Sequence, residues 1–265
     1  MLALAGLALA FGAVPGRGAV WLDPLHNDSG SYRVYAGQRL LGSERFELTP
    51  KGDSVLVISE IDQMLPLPGG DQRLQKKIAM VFRALDYGLL DFTSETHLRG
   101  QSLSRGIVPA DTTFTGYHEM DGRGYGDTMA RPPGRFYIID SQAFVLFDIL
   151  LRSLHGRLVG ERAVPVVFLA EPRDTVFDIT VRPGATETRR WSGKSIPMKK
   201  VTLTDGTSEF IAWLSPEGRM LRLEQPVTAL RVERDPAPPD SAAHKAAVKP
   251  ATAPAKKPAT KPAAH

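Results

Sequence analysis

Glu44 is the side chain in this sequence with the clearest chemical question attached to it. It lies at even spacing from Leu40, Phe46 and Leu48, so in a strand its carboxylate points where those apolar side chains point. A carboxylate so placed must be paired or must hold its proton. That arrangement suits a polar anchor inside a ligand cavity, or a general base. It equally suits one half of a buried ion pair, and a bulge at Gly42 would instead turn Glu44 outward.

Other residue types that carry chemistry lack partners at a usable spacing. Cysteine is absent, which excludes disulfides, thiolate metal sites, a cysteine nucleophile and a lipidated N-terminal cysteine. His97 shares a strand face with Glu95, and His118 precedes Glu119, but neither comes with the second and third ligands that a metal site needs. Gly193-Lys194-Ser195 has the last three residues of a phosphate-binding loop, yet Thr188 stands where the loop requires glycine, so a turn is expected there. With no nucleophile–base pair and no metal spacing, the chain is expected not to be an enzyme and to need no cofactor or metal.

The elements that must position these residues read as strands. From residue 30 to 234 the sequence repeats short runs of period-two alternation: Val55, Val57 and Ile61; Leu74, Ile78, Met80 and Phe82; Leu90, Phe92 and Leu98; Phe177, Ile179 and Val181; Leu230 and Val232. Such alternation marks strands with one buried face. Asp121-Gly122 and Asp205-Gly206 are hairpin turns by composition, and Lys51-Gly52-Asp53, Pro183-Gly184 and Ser215-Pro216-Glu217-Gly218 are further turns. About eleven antiparallel strands are expected, too many to stay flat, so the sheet should curl or form an open barrel.

Residues 141–155, SQAFVLFDILLRSLH, break the alternation. Asp140 or Ser141 is suited to cap the start of a helix and Gly156 to end it. Its apolar residues cover nearly the whole circumference. Asp148, Arg152 and His155 leave one polar stripe, with Asp148 and Arg152 in the favourable order for an i,i+4 pair. A helix so apolar packs inside a curled sheet or across its mouth.

Residues 1–18 read as a secretory signal peptide, with an uncharged apolar run before small residues. Residues 19–234 then form a single β domain, and residues 235–265 a disordered tail of Ala, Pro, Lys and Thr. The net charge is +4 and the isoelectric point about 9.3, but the tail from Ser241 holds five lysines and no acid. Without those lysines and Arg17 the folded part stands at −2. That balance argues against nucleic acid as a partner. The tail is either a spacer or an electrostatic attachment to an anionic envelope polymer or membrane surface.

The stretch Val34 to Phe46, with Gly42 and Glu44, the segment Trp191-Ser192-Gly193, and the stretch Ala212 to Arg219 followed by Pro226 and Leu230 to Val232 resemble, in layout and spacing, bacterial periplasmic proteins of the lipoprotein-carrier (LolA/LolB-like) open-barrel type and related uncharacterised families. The resemblance implies an apolar cavity for acyl chains or another hydrophobic molecule. The longer N-terminal half and the Lys/Pro tail depart from the carriers.

Two functions are therefore expected from different classes. In one, the protein is a non-enzymatic protein of the bacterial envelope, periplasmic or extracellular, that binds a lipid or other hydrophobic molecule. The cavity lining would then be Phe46, Ile58, Phe144, Leu151, Trp191 and Trp213, with Glu44 as a polar anchor. In the other, the sheet is packed solid and the protein is a structural or interaction protein tethered by its basic tail.

Overall fold

A computed structural model of the protein describes residues 27–169 and 174–236. The expected signal peptide at 1–18 and almost all of the expected tail at 235–265 lie outside the described residues.

The first half of the chain is an antiparallel meander: β1 (Asp28–Ala36), β2 (Arg39–Lys51), β3 (Ser54–Leu67), β4 (Gly70–Arg83), β5 (Leu89–Leu98), β6 (Gln101–Pro109), β7 (Thr113–Met120) and β8 (Arg123–Ala130). Strand β9 (Tyr137–Asp140), helix α1 (Phe144–Leu154) and β10 (Arg162–Leu169) follow as a parallel β–α–β unit. A second meander of β11 (Thr175–Trp191), β12 (Lys194–Thr204), β13 (Glu209–Leu214), β14 (Met220–Gln225) and β15 (Leu230–Arg234) completes the sheet. The last strand pairs with the first, Arg234 opposite Tyr32. The result is one curled sheet of fifteen strands in the order β8-β7-β6-β5-β4-β3-β2-β1-β15-β14-β13-β12-β11-β10-β9, left open between β8 and β9.

The mainly β architecture with one apolar helix agrees with the sequence; the count of about eleven strands does not. Strand β8 is exposed along nearly its whole length, and β9 is buried at every position, so neither shows the alternation that marks a half-buried strand. Pro183-Gly184 is not a turn. Strand β11 runs straight through it with a register shift between Pro183 and Thr186. The Asp121-Gly122 turn does form, with both residues at positive φ, as a two-residue hairpin with right-handed strand twist requires. Ser192-Gly193 turns β11 into β12 in the same way, which accounts for the Gly193-Lys194-Ser195 segment without any phosphate loop.

The core lies on the concave side, between sheet and helix. It draws on strands from both meanders and on β10, including Tyr32, Phe46, Val57, Ile78, Phe92, Ile107, Val166, Val201, Ala212 and Val232. All eleven residues of α1 are buried.

Candidate functional site

The bulge expected near Gly42 exists, but it acts on the other side of the glycine. The β1–β2 register shifts between Val34 and Tyr35, leaving Leu41 as the extra residue. Leu41 is therefore buried, Leu40 is 55% exposed, and Glu44 stays inward with no exposure at all. An added Cβ at Gly42 would fall 2.1 Å from the Asp62 carbonyl oxygen, so only glycine lets β2 and β3 approach this closely. A comparable shift in β4–β5 turns Leu90 out and Leu89 in.

Glu44 reaches the beginning of α1. Its carboxylate accepts the Ser59 hydroxyl at 2.7 Å and the backbone N–H groups of Phe144 at 2.6 Å and Val145 at 3.2 Å. Neither Asp140 nor Ser141 caps the helix: the N-cap residue is Ala143, which has no capping side chain. Glu44, a hundred residues away in sequence, supplies the acceptors for the unsatisfied first-turn amides, where a carboxylate is also favoured by the helix dipole. Burial pushes the Glu44 carboxyl up to about 7, against the pull of the Ser59 hydroxyl and the two amides. Asp140 has a different task. It accepts the Gln142 N–H at 2.8 Å and forms a buried pair with Lys76 of β4.

The polar stripe of α1 faces the seam where β1 meets β15. Asp148 pairs with Arg152 at 2.6 Å, as the i,i+4 spacing predicts, and accepts the Met220 N–H at 2.8 Å. Arg152 also pairs with Asp28 of β1, and Asp28 with Arg234 of β15 at 2.7 Å. Arg234 closes the group at 3.7 Å from Asp148. Two carboxylates and two guanidinium groups thus neutralise one another out of water, with Arg219 3.9 Å from Asp28 at the rim. Burial raises the Asp28 carboxyl, but Arg152 and Arg234 outweigh it and hold the group below the usual carboxylate range.

The residues expected to line a cavity do not come together. Phe46, Phe144 and Leu151 are in the core with Glu44, packed rather than lining a space. Ile58 points the other way and is 40% exposed: Glu44 lies opposite Ile61 in the β2–β3 register, so Val57 and Ile61 take the inner face and Ile58 the outer. Trp213 forms a separate cluster with Met198 and Leu221, against which Trp191 packs. There Trp191 donates its indole N–H to the Arg234 carbonyl oxygen at 3.3 Å, and the Arg189 guanidinium lies 4.4 Å from the Trp213 ring centre. These two tryptophans serve packing between the β11–β12 hairpin and β13–β15.

The space under the helix is filled. A depression bounded by Met80, Phe82, Leu89, Phe136, Leu146 and Ile149 has a volume of about 10 Å³, room for a single water at most. A larger opening, about 280 Å³, lies at the far end of the helix, lined by Arg135, Tyr137, Leu154, Arg157 and residues 162–165. No local sequence pattern marks it, because Arg135 precedes β9 while Arg157 and Arg162 lie beyond the helix, in the link to β10 and at its first residue. Of the histidines, His97 is exposed, and His118 is buried with its Nε2 3.3 Å from Asp174. Among the described residues no cluster of three His, Asp or Glu side chains is arranged to hold a metal.

Comparison with known proteins agrees with this architecture. No family model and no curated protein sequence matches the chain. Among solved structures, the chain is similar to a beta-barrel-like protein of the domain of unknown function DUF1849 from Brucella abortus. The TM-score is 0.55 with 10% identity, over 79% of this chain and 94% of that one. A DUF1089 family protein from Pseudomonas aeruginosa aligns over 67% of this chain and 87% of that one at a TM-score of 0.42 and 11% identity. The first likeness shows a barrel-like fold. A likeness to the lipoprotein carriers is not shown by it.

Proposed function

We propose that this protein is a non-enzymatic interaction protein of the bacterial envelope: a solidly packed, curled sheet attached through its basic tail to an anionic polymer or partner. The observation that carries this reading is the filled helix–sheet interface. A ligand pocket for a drug-sized or lipid molecule needs several hundred Å³, and the apolar depression under α1 offers about 10 Å³. The helix is also fixed to the sheet at its start by Glu44 and along its polar stripe by Asp28, Asp148, Arg152 and Arg234. That anchoring suits a permanent part of the core better than a lid. The expected hydrophobic-ligand reading has the barrel-like fold in its favour and the missing volume against it.

Deleting residues 237–265 tests the attachment. The cut leaves Asp235, which bonds to Ser31 and Arg33, in place. The full chain is expected to co-sediment with isolated anionic cell-wall polymer and to be released by salt, while the truncated chain stays in the supernatant with an unchanged unfolding midpoint. Equal sedimentation of both would remove the tether from this reading.

A further inference from the structure

We infer that the cleft at the C-terminal end of α1 is a binding site for a phosphate-type anion. Three arginines line it: Arg135 just before β9, Arg157 in the connection after α1, and Arg162 at the start of β10. None has a carboxylate partner among the described residues. Among the described residues Arg135 has a polar contact with the Tyr137 hydroxyl at 3.5 Å. Glu161, adjacent in sequence to Arg162, is engaged by Arg182 at 2.7 Å. Elsewhere in the fold the arginines that converge on one place do so around carboxylates, as Arg152 and Arg234 do around Asp28 and Asp148.

One cation at this end would be accounted for by the helix dipole, which favours positive charge near the last carbonyls. Three are more than that effect calls for, and none of the three belongs to the helix. Held around one opening, like charges repel unless an anion sits between them. The wall is also rigid where it matters. Ser153 and Tyr137 are within 2.6 Å of each other, and Ser153 donates to the Leu150 carbonyl oxygen at 2.7 Å, so the Tyr137 ring is fixed between core and cleft.

The ligand class follows from the groups. Guanidinium forks bind tetrahedral oxyanions through paired N–H donors, and several forks at different angles suit a phosphate better than a planar carboxylate. A volume of about 280 Å³ accommodates a phosphate with a small polar body, and Leu154, Val164 and Pro165 give it an apolar floor. A free phosphate ester and the headgroup of an anionic phospholipid share this chemistry. The inference does not depend on the tail, and its failure would leave the proposed attachment untouched.

The test uses the full chain and an Arg157→Gln/Arg162→Gln variant. Both positions are exposed, and both proteins keep the tail, so any difference belongs to the cleft. Calorimetric titration with inorganic phosphate is expected to give saturable binding at low ionic strength, weakened at least tenfold in the variant. Co-sedimentation with vesicles of phosphatidylcholine containing phosphatidylglycerol provides the second arm. A loss in the phosphate arm assigns the site to free phosphate groups. A loss confined to the vesicle arm assigns it to a lipid headgroup. Equal binding by the two proteins in both arms overturns the inference.

Discussion

Along most of α1, charge is buried and paired: Glu44 with the first amides, Asp140 with Lys76, and Asp148 and Arg152 with Asp28 and Arg234. At its C-terminal end, Arg135, Arg157 and Arg162 stand around an open cleft with no carboxylate among the described residues to meet them. The first region spends its ionisable groups on architecture, locking a helix to the seam between the first and last strands. The second leaves its groups available. A buried side chain with a perturbed titration is therefore a poor guide to function in this fold, and the proposed anion site rests instead on the arginines at the rim that have no carboxylate partner among the described residues.

Breaking the buried group should have the largest effect. Asp148→Leu leaves Arg152 and Arg234 with one carboxylate between them, and is expected to lower unfolding free energy by about 3–5 kcal/mol in denaturant melts. Adding Arg152→Met restores neutrality, with Asp28 still paired to Arg234, and should recover much of that loss. A double variant no better than the single would mean that packing, and not charge balance, dominates the seam.

Glu44 gives the next largest effect, and a direction with pH. Its folded-state pKa of about 7 lies above the usual 4.5, so between those values the folded protein binds more protons than the unfolded chain. Its contribution to stability is complete below about 4.5 and is lost as pH rises through about 7, on the order of 3 kcal/mol in total. Wild-type melts from about pH 4 to pH 8 should show this fall, and Glu44→Gln should flatten it. Identical pH profiles would show that the carboxylate is stabilised by its three donors as fully as it is in water.

Gly42→Ala comes third. Its methyl group would meet the Asp62 carbonyl oxygen, and a loss of about 2 kcal/mol is expected, with the β2–β3 register disturbed. At the other extreme, Arg157→Gln/Arg162→Gln should change stability by less than about 0.5 kcal/mol. A large loss there would make those arginines architectural and erase the contrast between the two ends of the helix.

Much of this was legible in the sequence, and what was not has identifiable causes. The helix falls inside the predicted 141–155, and the Asp148–Arg152 pair follows from its spacing. The inward direction of Glu44 follows from strand alternation. Its partners do not: Ser59, like Lys76 and Arg234 in their own pairs, is fixed by register across strands far apart in the chain, which leaves no local pattern. Leu40 was misplaced because the extra residue Leu41 reverses the facing of what precedes it, and Leu90 because it is itself the extra residue of a bulge. Strands β8 and β9 escaped because one is exposed on both faces and the other is buried on both. Trp191 and Trp213 were expected either as core packing or as cavity lining, and they pack in a cluster separate from Phe144: aromatic residues at strand spacing announce burial without saying on which side of the sheet.

The claim beneath all of this is that the space between sheet and helix is already occupied by the protein's own side chains. Fluorescence titration of the full chain with pyrene, an uncharged hydrophobe that has no use for the arginine cleft, tests it most directly. No saturable uptake is predicted; saturable binding near one molecule per chain would contradict the account.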